Sequence, residues 1–192
     1  MKIQLIDRNV WICHEWRTHF KGCHNVLIHQ GDFFSLPTNC IVSSANSFGL
    51  MDGGLDAAII EKVGIKTEQR LQRLIHEKYA GELLVGQAVL IETEYPDIPY
   101  LISAPTMRVP LLISGSVNIY LAAKAIFRVL LDNPQIETVT ISGLGTGHGN
   151  VPEAICAQQM RRAYDETILG RLKKFENSKE AQREHFCLIN LQ

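Results

Sequence analysis

Val26-Leu27-Ile28-His29-Gln30-Gly31-Asp32, Cys40-Ile41-Val42-Ser43-Ser44-Ala45-Asn46 and Leu50-Met51-Asp52-Gly53-Gly54-Leu55-Asp56-Ala57-Ala58-Ile59-Ile60 succeed one another near the start of the chain. The first two are short apolar runs of strand type, and each ends in a polar side chain. The third passes through a glycine pair into a helical pattern, with Leu55, Ala58, Ile59 and Val63 at i, i+3, i+4 and i+8. Carboxylate and amide at strand ends, beside bare backbone at a helix start, suit a nucleotide ligand. A glycine loop at a helix N-terminus presents N–H groups to a phosphate.

The rest of the chain repeats the alternation. Lys2 to Ile6, Gln87 to Thr93, Tyr100 to Ser103 and Thr138 to Ser142 read as strands. Asn9 to Lys21, Glu68 to Tyr79, Ser116 to Leu131 and Pro152 or Glu153 to Leu169 read as helices. Strands alternating with helices predict an α/β fold: a three-layer α/β/α sandwich with a mixed, largely parallel central sheet. Ligands bind such sheets at the carboxyl ends of the strands. Asp32, Asn46 and the loop Gly143-Leu144-Gly145-Thr146-Gly147-His148-Gly149 all follow expected strands, so three loops are expected to converge on one edge. Residues 1–192 are expected to form one domain, with a core of about 26–170. Residues 1–25 add a strand and a helix, and 171–192 a peripheral helix and tail, with Cys187 to Leu191 a candidate edge strand.

Composition narrows the function class. The 192 residues carry 19 Lys+Arg against 20 Asp+Glu, a net charge of −1, which points to no nucleic-acid or anionic-membrane surface. No apolar run reaches the roughly 18 residues of a membrane span, and the N-terminus lacks the pattern of a secretory signal. The five cysteines are odd in number and scattered, as in reduced thiols of a cytoplasmic protein. Cys13-His14 and Cys23-His24 fit no usual four-ligand zinc spacing, so no metal is expected. Trp16 shares a helical stripe with Ile12 and Phe20 and is expected in the core.

Each motif also has a plain structural reading. Asp32 can cap a turn, Asn46 can satisfy its own loop, and Asp52 can cap the helix that follows. Asp56 lies in the first helical turn, where the dipole favours a carboxylate. The Gly143 to Gly149 loop fits neither a Walker loop nor a dinucleotide fingerprint. His148 reads as a loop surface residue.

Taken together, the order and spacing of these segments resemble the macro domain family of ADP-ribose-binding α/β/α modules, over about Val26 to Leu169. Gln30-Gly31-Asp32 resembles the family's first strand-end motif, and Ser43-Ser44-Ala45-Asn46 its Asn-Ala-Ala-Asn motif. Met51 to Asp56 resembles the glycine-rich phosphate loop with its following acid, and Gly143 to Pro152 the second phosphate loop. Ala104-Pro105-Thr106-Met107-Arg108-Val109-Pro110 looks like a segment of one bacterial and phage-associated branch. The resemblance implies that Asp32 holds the adenine amine with help from the Phe33 backbone. It implies that Ala45 and Asn46 adjoin the distal ribose, and that Gly53, Gly54, Leu55, Gly145, Thr146, Gly147, His148 and Gly149 surround the diphosphate. In hydrolytic, MacroD-type members the residues matching Asn46 and Asp56 orient substrate and water. The implied ligand is ADP-ribose or an ADP-ribosylated protein, or ADP-ribose-1''-phosphate in processing enzymes, with no cofactor. Gly149 stands where hydrolytic relatives carry an aromatic ribose wall, so Phe48 and His148 become alternative walls. Ser43 stands where the family has an Asn supporting the loop, and Asp52 where it has a Gly. Hydrolysis and binding alone both remain open on these residues.

Overall fold

The computed structural model describes residues 1–44 and 46–191. A six-stranded sheet in the order β2-β1-β6-β3-β5-β4 forms its centre. The strands are β1 (Lys2–Asp7), β2 (Val26–Gln30), β3 (Cys40–Ser43), β4 (Val89–Glu92), β5 (Tyr100–Ser103) and β6 (Thr138–Ile141). Every neighbouring pair is parallel except β4 with β5, which is antiparallel. The inner strands β3 and β5 are almost wholly buried because helices cover both faces, whereas β2 at the edge is partly exposed.

Alternation along each strand sorts the two faces. Cys40, Val42 and Ile102 point into a core with Ile12 and Trp16 of α1 (Val10–His19), Ile119 and Ile126 of α4 (Asn118–Asp132) and Ile155 and Met160 of α5 (Glu153–Thr167). Ile41, Leu101, Val89 and Ile91 point the other way, against Ile59 and Val63 of α2 (Gly54–Val63) and Leu71 and Ile75 of α3 (Ile65–Lys78). This is the expected three-layer sandwich. Trp16 is fully buried, as its stripe predicted.

Two expectations need correction. The charged helix begins at Ile65 rather than Glu68, because Gly64, at φ +91°, ends α2 and turns the chain directly into α3. The C-terminal segment contains no edge strand among the described residues. Cys187 lies inside α6 (Ser178–Ile189), whose start is fixed by the Asn177 side chain accepting from the N–H groups of Lys179 and Glu180. That helix lies on the outside of α5, where the Gln159 side chain donates to the Leu188 carbonyl at 3.0 Å. Among the described residues no helix is long and apolar enough to cross a membrane.

Candidate functional site

Because β2, β1, β6, β3 and β5 run parallel, their C-terminal ends open on one edge of the sheet. Asp32 follows β2, the Gly143 loop follows β6 and Asn46 follows β3. With strands about 4.8 Å apart, the four from β2 to β3 span about 14 Å, a length that matches an elongated ligand rather than a compact one.

At the β2 end, the Asp32 carboxylate accepts from the Phe34 N–H at 2.9 Å and pairs with Arg8. These two contacts hold its carboxyl below the usual carboxylate range. Asp32 therefore caps a turn, as the plain reading had it, and its side chain remains half-exposed. Phe33 is buried and packs edge-on against Phe34 with ring centroids 5.2 Å apart. Its N–H makes none of the described hydrogen bonds.

The end of β1 lies between β2 and β6, a placement that sequence reading missed. Asp7 accepts from Asn9 N–H at 2.9 Å with one oxygen and from Gly143 N–H at 3.0 Å with the other. The Asn9 amide reaches Glu153 at 2.8 Å. Asp7 and Asn9 thus tie the root of the second glycine loop to the start of α5. The available signal was Leu5-Ile6-Asp7, an apolar run ending in a carboxylate just as Asp32 does.

The second loop is tightly built at two glycines. Gly145 has φ +69°, and a Cβ there would lie 2.6 Å from Ile119 Cδ1. A Cβ on Gly149 would lie 2.7 Å from the Gly145 carbonyl oxygen and 2.8 Å from Ile113 Cγ1. Ile113 also donates its N–H to the Gly149 carbonyl at 2.9 Å. Any side chain at position 149 would therefore collide with Ile113, which reaches it from the connection between β5 and α4. Gly147 and His148 are exposed, with open space at Gly147. Thr146 turns its hydroxyl onto the Gly143 carbonyl at 3.0 Å. Phe48, the other alternative wall, lies half-buried under the Arg108 guanidinium, which is 5.1 Å from its ring centroid.

The first glycine loop opens directly into α2. Its N-cap is Gly53, with no side-chain cap bond, and Gly54 takes φ +55°. Asp52 is exposed and does not cap the helix, against the plain reading. The N–H groups of Gly54, Leu55 and Asp56 appear in none of the described hydrogen bonds, the condition for cradling an anion.

Asn46 spends much of its side chain on its own loop. Its amide oxygen accepts from Phe48 N–H at 3.1 Å and Leu50 N–H at 3.3 Å, and its NH₂ donates to the Leu50 carbonyl at 2.7 Å. One amide proton remains. A strap from Thr106 to Arg108 holds this loop: Asn46 bridges Met107, Ser47 N–H donates to the Arg108 carbonyl at 3.1 Å, and Thr106 donates to the Ser44 carbonyl at 3.1 Å. Ala45 lies outside the described residues.

Asp56 occupies the first turn of α2, partly buried over the end of β3. One carboxylate oxygen accepts from the Ser43 hydroxyl at 2.7 Å. Burial pushes its carboxyl up to about 6, against the Ser43 hydrogen bond and with help from the negative charges of Asp52 and Glu68. Such a group exchanges a proton near neutral pH.

Comparison with known proteins bears on this arrangement. The family model described as Macro domain matches residues 42–160. An uncharacterized protein of Aquifex aeolicus (strain VF5) is 32% identical over 152 residues, 79% of this chain and 83% of that protein. Another from Aeropyrum pernix is 28% identical over 142 residues, 74% of this chain and 71% of that one. Among solved structures, the macrodomain of Mycobacterium tuberculosis DarG superposes with a TM-score of 0.62 at 20% identity, covering 72% of this chain and 88% of its own. An Oceanobacillus iheyensis macrodomain with ADP does so with a TM-score of 0.58 at 19% identity, covering 69% and 72%. A variant of that protein was solved with ADPR and superposes at 0.57, with 19% identity over 69% of this chain and 74% of its own. At these identities the solved structures carry the fold, and the match of the family model carries the membership: the chain belongs to the macro domain family.

Proposed function

We propose that the protein binds ADP-ribose across the strand ends and hydrolyses an ADP-ribosyl bond, in a mono-ADP-ribosylated protein ester or in ADP-ribose-1''-phosphate. The observation that carries the reading is Asp56, a half-buried carboxyl pushed to about 6 beside helix-start N–H groups that have no described protein partner. In this reading Asp32 accepts from the adenine amine beside the Phe33 N–H. The backbone of Gly53 to Leu55 and of Gly145 to Gly149 holds the diphosphate, and the spare amide proton of Asn46 reaches the distal ribose. Residues 1–192 act as one macro domain, and the chemistry requires no cofactor.

The reaction balances with water alone. A water oxygen attacks C1'' of the distal ribose, and the bond from C1'' to the leaving oxygen breaks. Its electron pair departs with the carboxylate or phosphate. Asp56 takes the proton of the water through its second oxygen and later returns it to solvent. Holding ribose and water in line supplies the orientation term, and the N–H groups stabilise charge on the ligand.

A second reading is a module that binds ADP-ribose without chemistry. The Gly149 position favours it, because the resemblance implies an aromatic ribose wall there in hydrolytic relatives and Ile113 leaves no room for a side chain at that position. The discriminating experiment is single-turnover release of ADP-ribose from a protein automodified on glutamate or aspartate, with calorimetry of ADP-ribose binding. Release by the wild type, lost in a binding-competent Asp56→Ala variant, supports the hydrolase. Binding without release supports the module, and absence of binding overturns both.

A further inference from the structure

Ser43 is a departure from the family pattern, and its surroundings give it a use. It is the last residue of β3 and is fully buried. Parallel pairing with β5 places it opposite Ser103, and its carbonyl accepts from Ala104 N–H at 3.0 Å. The backbone beneath this hydroxyl is therefore sheet, not loop. Ser43 points to the same face as Ile41, toward α2, and its hydroxyl lies 2.7 Å from one Asp56 oxygen. A serine hydroxyl has a single proton to give, and here it goes to Asp56. The second Asp56 oxygen makes none of the described hydrogen bonds.

We propose that Ser43 is the positioning residue for Asp56, fixing one carboxylate oxygen against the sheet so that the other faces the ligand cleft. The inference rests on the hydrolytic reading given above and deepens it, since it says what makes that carboxylate usable. The charges acting on Asp56 are Asp52, from the loop ahead of α2, and Glu68, from α3. Both are negative and disfavour the ionised form. The sheet beneath adds no charge at this point: β3 and β5 end in Ser43 and Ser103. Ser43 supplies the side-chain contact that favours the carboxylate. Ser103 is its natural control. It is a second buried hydroxyl on the same face, one strand over, and its oxygen has no partner among the described residues.

The test is a ¹³C-carboxyl NMR titration of Asp56 in the whole protein, run beside the pH profile of ADP-ribose release. Wild-type Asp56 is expected to titrate at about 6. In Ser43→Ala the midpoint moves up by about one pH unit, the scale of one hydrogen bond to a charged group. The acidic limb of the release profile moves with it, so at a pH well below the midpoint the variant is about tenfold slower. Ser103→Ala leaves the midpoint in place. Ser43→Cys, of similar size with a weaker donor, moves it part of the way and serves if the alanine variant does not fold. A folded Ser43→Ala or Ser43→Cys protein that titrates with the wild type overturns the proposal, as does an equal shift in Ser103→Ala. If the wild type releases no ADP-ribose, the hydrolytic reading falls while the titration still decides whether Ser43 governs Asp56.

Discussion

Replacing Asp56 with asparagine is expected to stabilise the protein at neutral pH while abolishing the proposed release of ADP-ribose. Burial and the charges of Asp52 and Glu68 raise the folded-state pKa to about 6, against an ordinary value of 3.8. The folded protein then holds the Asp56 proton more tightly than the unfolded chain. The stabilising contribution is therefore fully present below the unfolded value, and it is lost as pH rises through about 6. A rise of about two pH units, at about 1.36 kcal/mol each, makes the ionised carboxylate cost about 3 kcal/mol at pH 7.5. At pH 4 the same linkage leaves under about 1 kcal/mol. The asparagine side chain would keep an oxygen for the Ser43 hydroxyl and carry no charge. Urea unfolding of both proteins at the two pH values is the assay. The variant should be more stable by about 1–3 kcal/mol at pH 7.5, or roughly 3–10 °C in thermal midpoint for a chain of this size. The gap should narrow to under about 1 kcal/mol at pH 4. A variant less stable than wild type at pH 7.5, or a gap independent of pH, would refute the reasoning. Either result would mean that Asp56 is not held as a strained carboxylate.

Two further outcomes separate ligand contacts from packing. Asp32→Ala should lower ADP-ribose affinity by about tenfold or more, the scale of a lost hydrogen bond to a charged group, in calorimetry. Its stability to unfolding should change by less than about 1 kcal/mol, because the pair with Arg8 is exposed. Gly145→Ala should cost about 1–3 kcal/mol in urea unfolding, since that glycine has φ +69° and no room for a Cβ beside Ile119. Gly147→Ala, in open space, should stay within about 0.5 kcal/mol. Equal costs at the two glycines would mean the loop is not packed as described.

The layers of the fold were legible because parallel strands covered on both faces must be apolar throughout. Cys40–Ser43, buried at every position, is such a run, Val26-Leu27-Ile28 and Thr138–Ile141 are apolar or β-branched, and the helices between the strands carry apolar stripes. The order of strands was not legible in the same way. Nothing local to Lys2–Asp7 says that it lies between β2 and β6 rather than at an edge, since pairing is decided by partners more than a hundred residues away. That order is what brings Asp7 under Gly143 and Arg8 against Asp32. Cys187 to Leu191 misled for the converse reason. A short apolar run has no period of its own, and Asn177, ten residues upstream, sets it in a helix.

The candidate site was legible at its strand ends and illegible in the contacts between them. Asp32, Asn46 and Gly143 advertise themselves by following apolar runs, whereas the state of Asp56 depends on which face Ser43 occupies. Alternation from Ile41 places Ser43 beneath α2, so the signal existed, but it acquires meaning only once α2 is known to cover that face. The family pattern marks Ser43 as a loss, an amide exchanged for a hydroxyl. In the fold the smaller side chain reaches the carboxylate of the next helix at 2.7 Å. At the β2 end of the sheet, Arg8 already engages the Asp32 carboxylate. A carboxylate has about four lone-pair sites, and the described contacts to Phe34 and Arg8 use two. An adenine amine can therefore join Arg8 without displacing it, so Arg8→Ala and Asp32→Ala are not expected to be equivalent. Removing the arginine leaves the proposed adenine acceptor in place, and removing the aspartate takes it away.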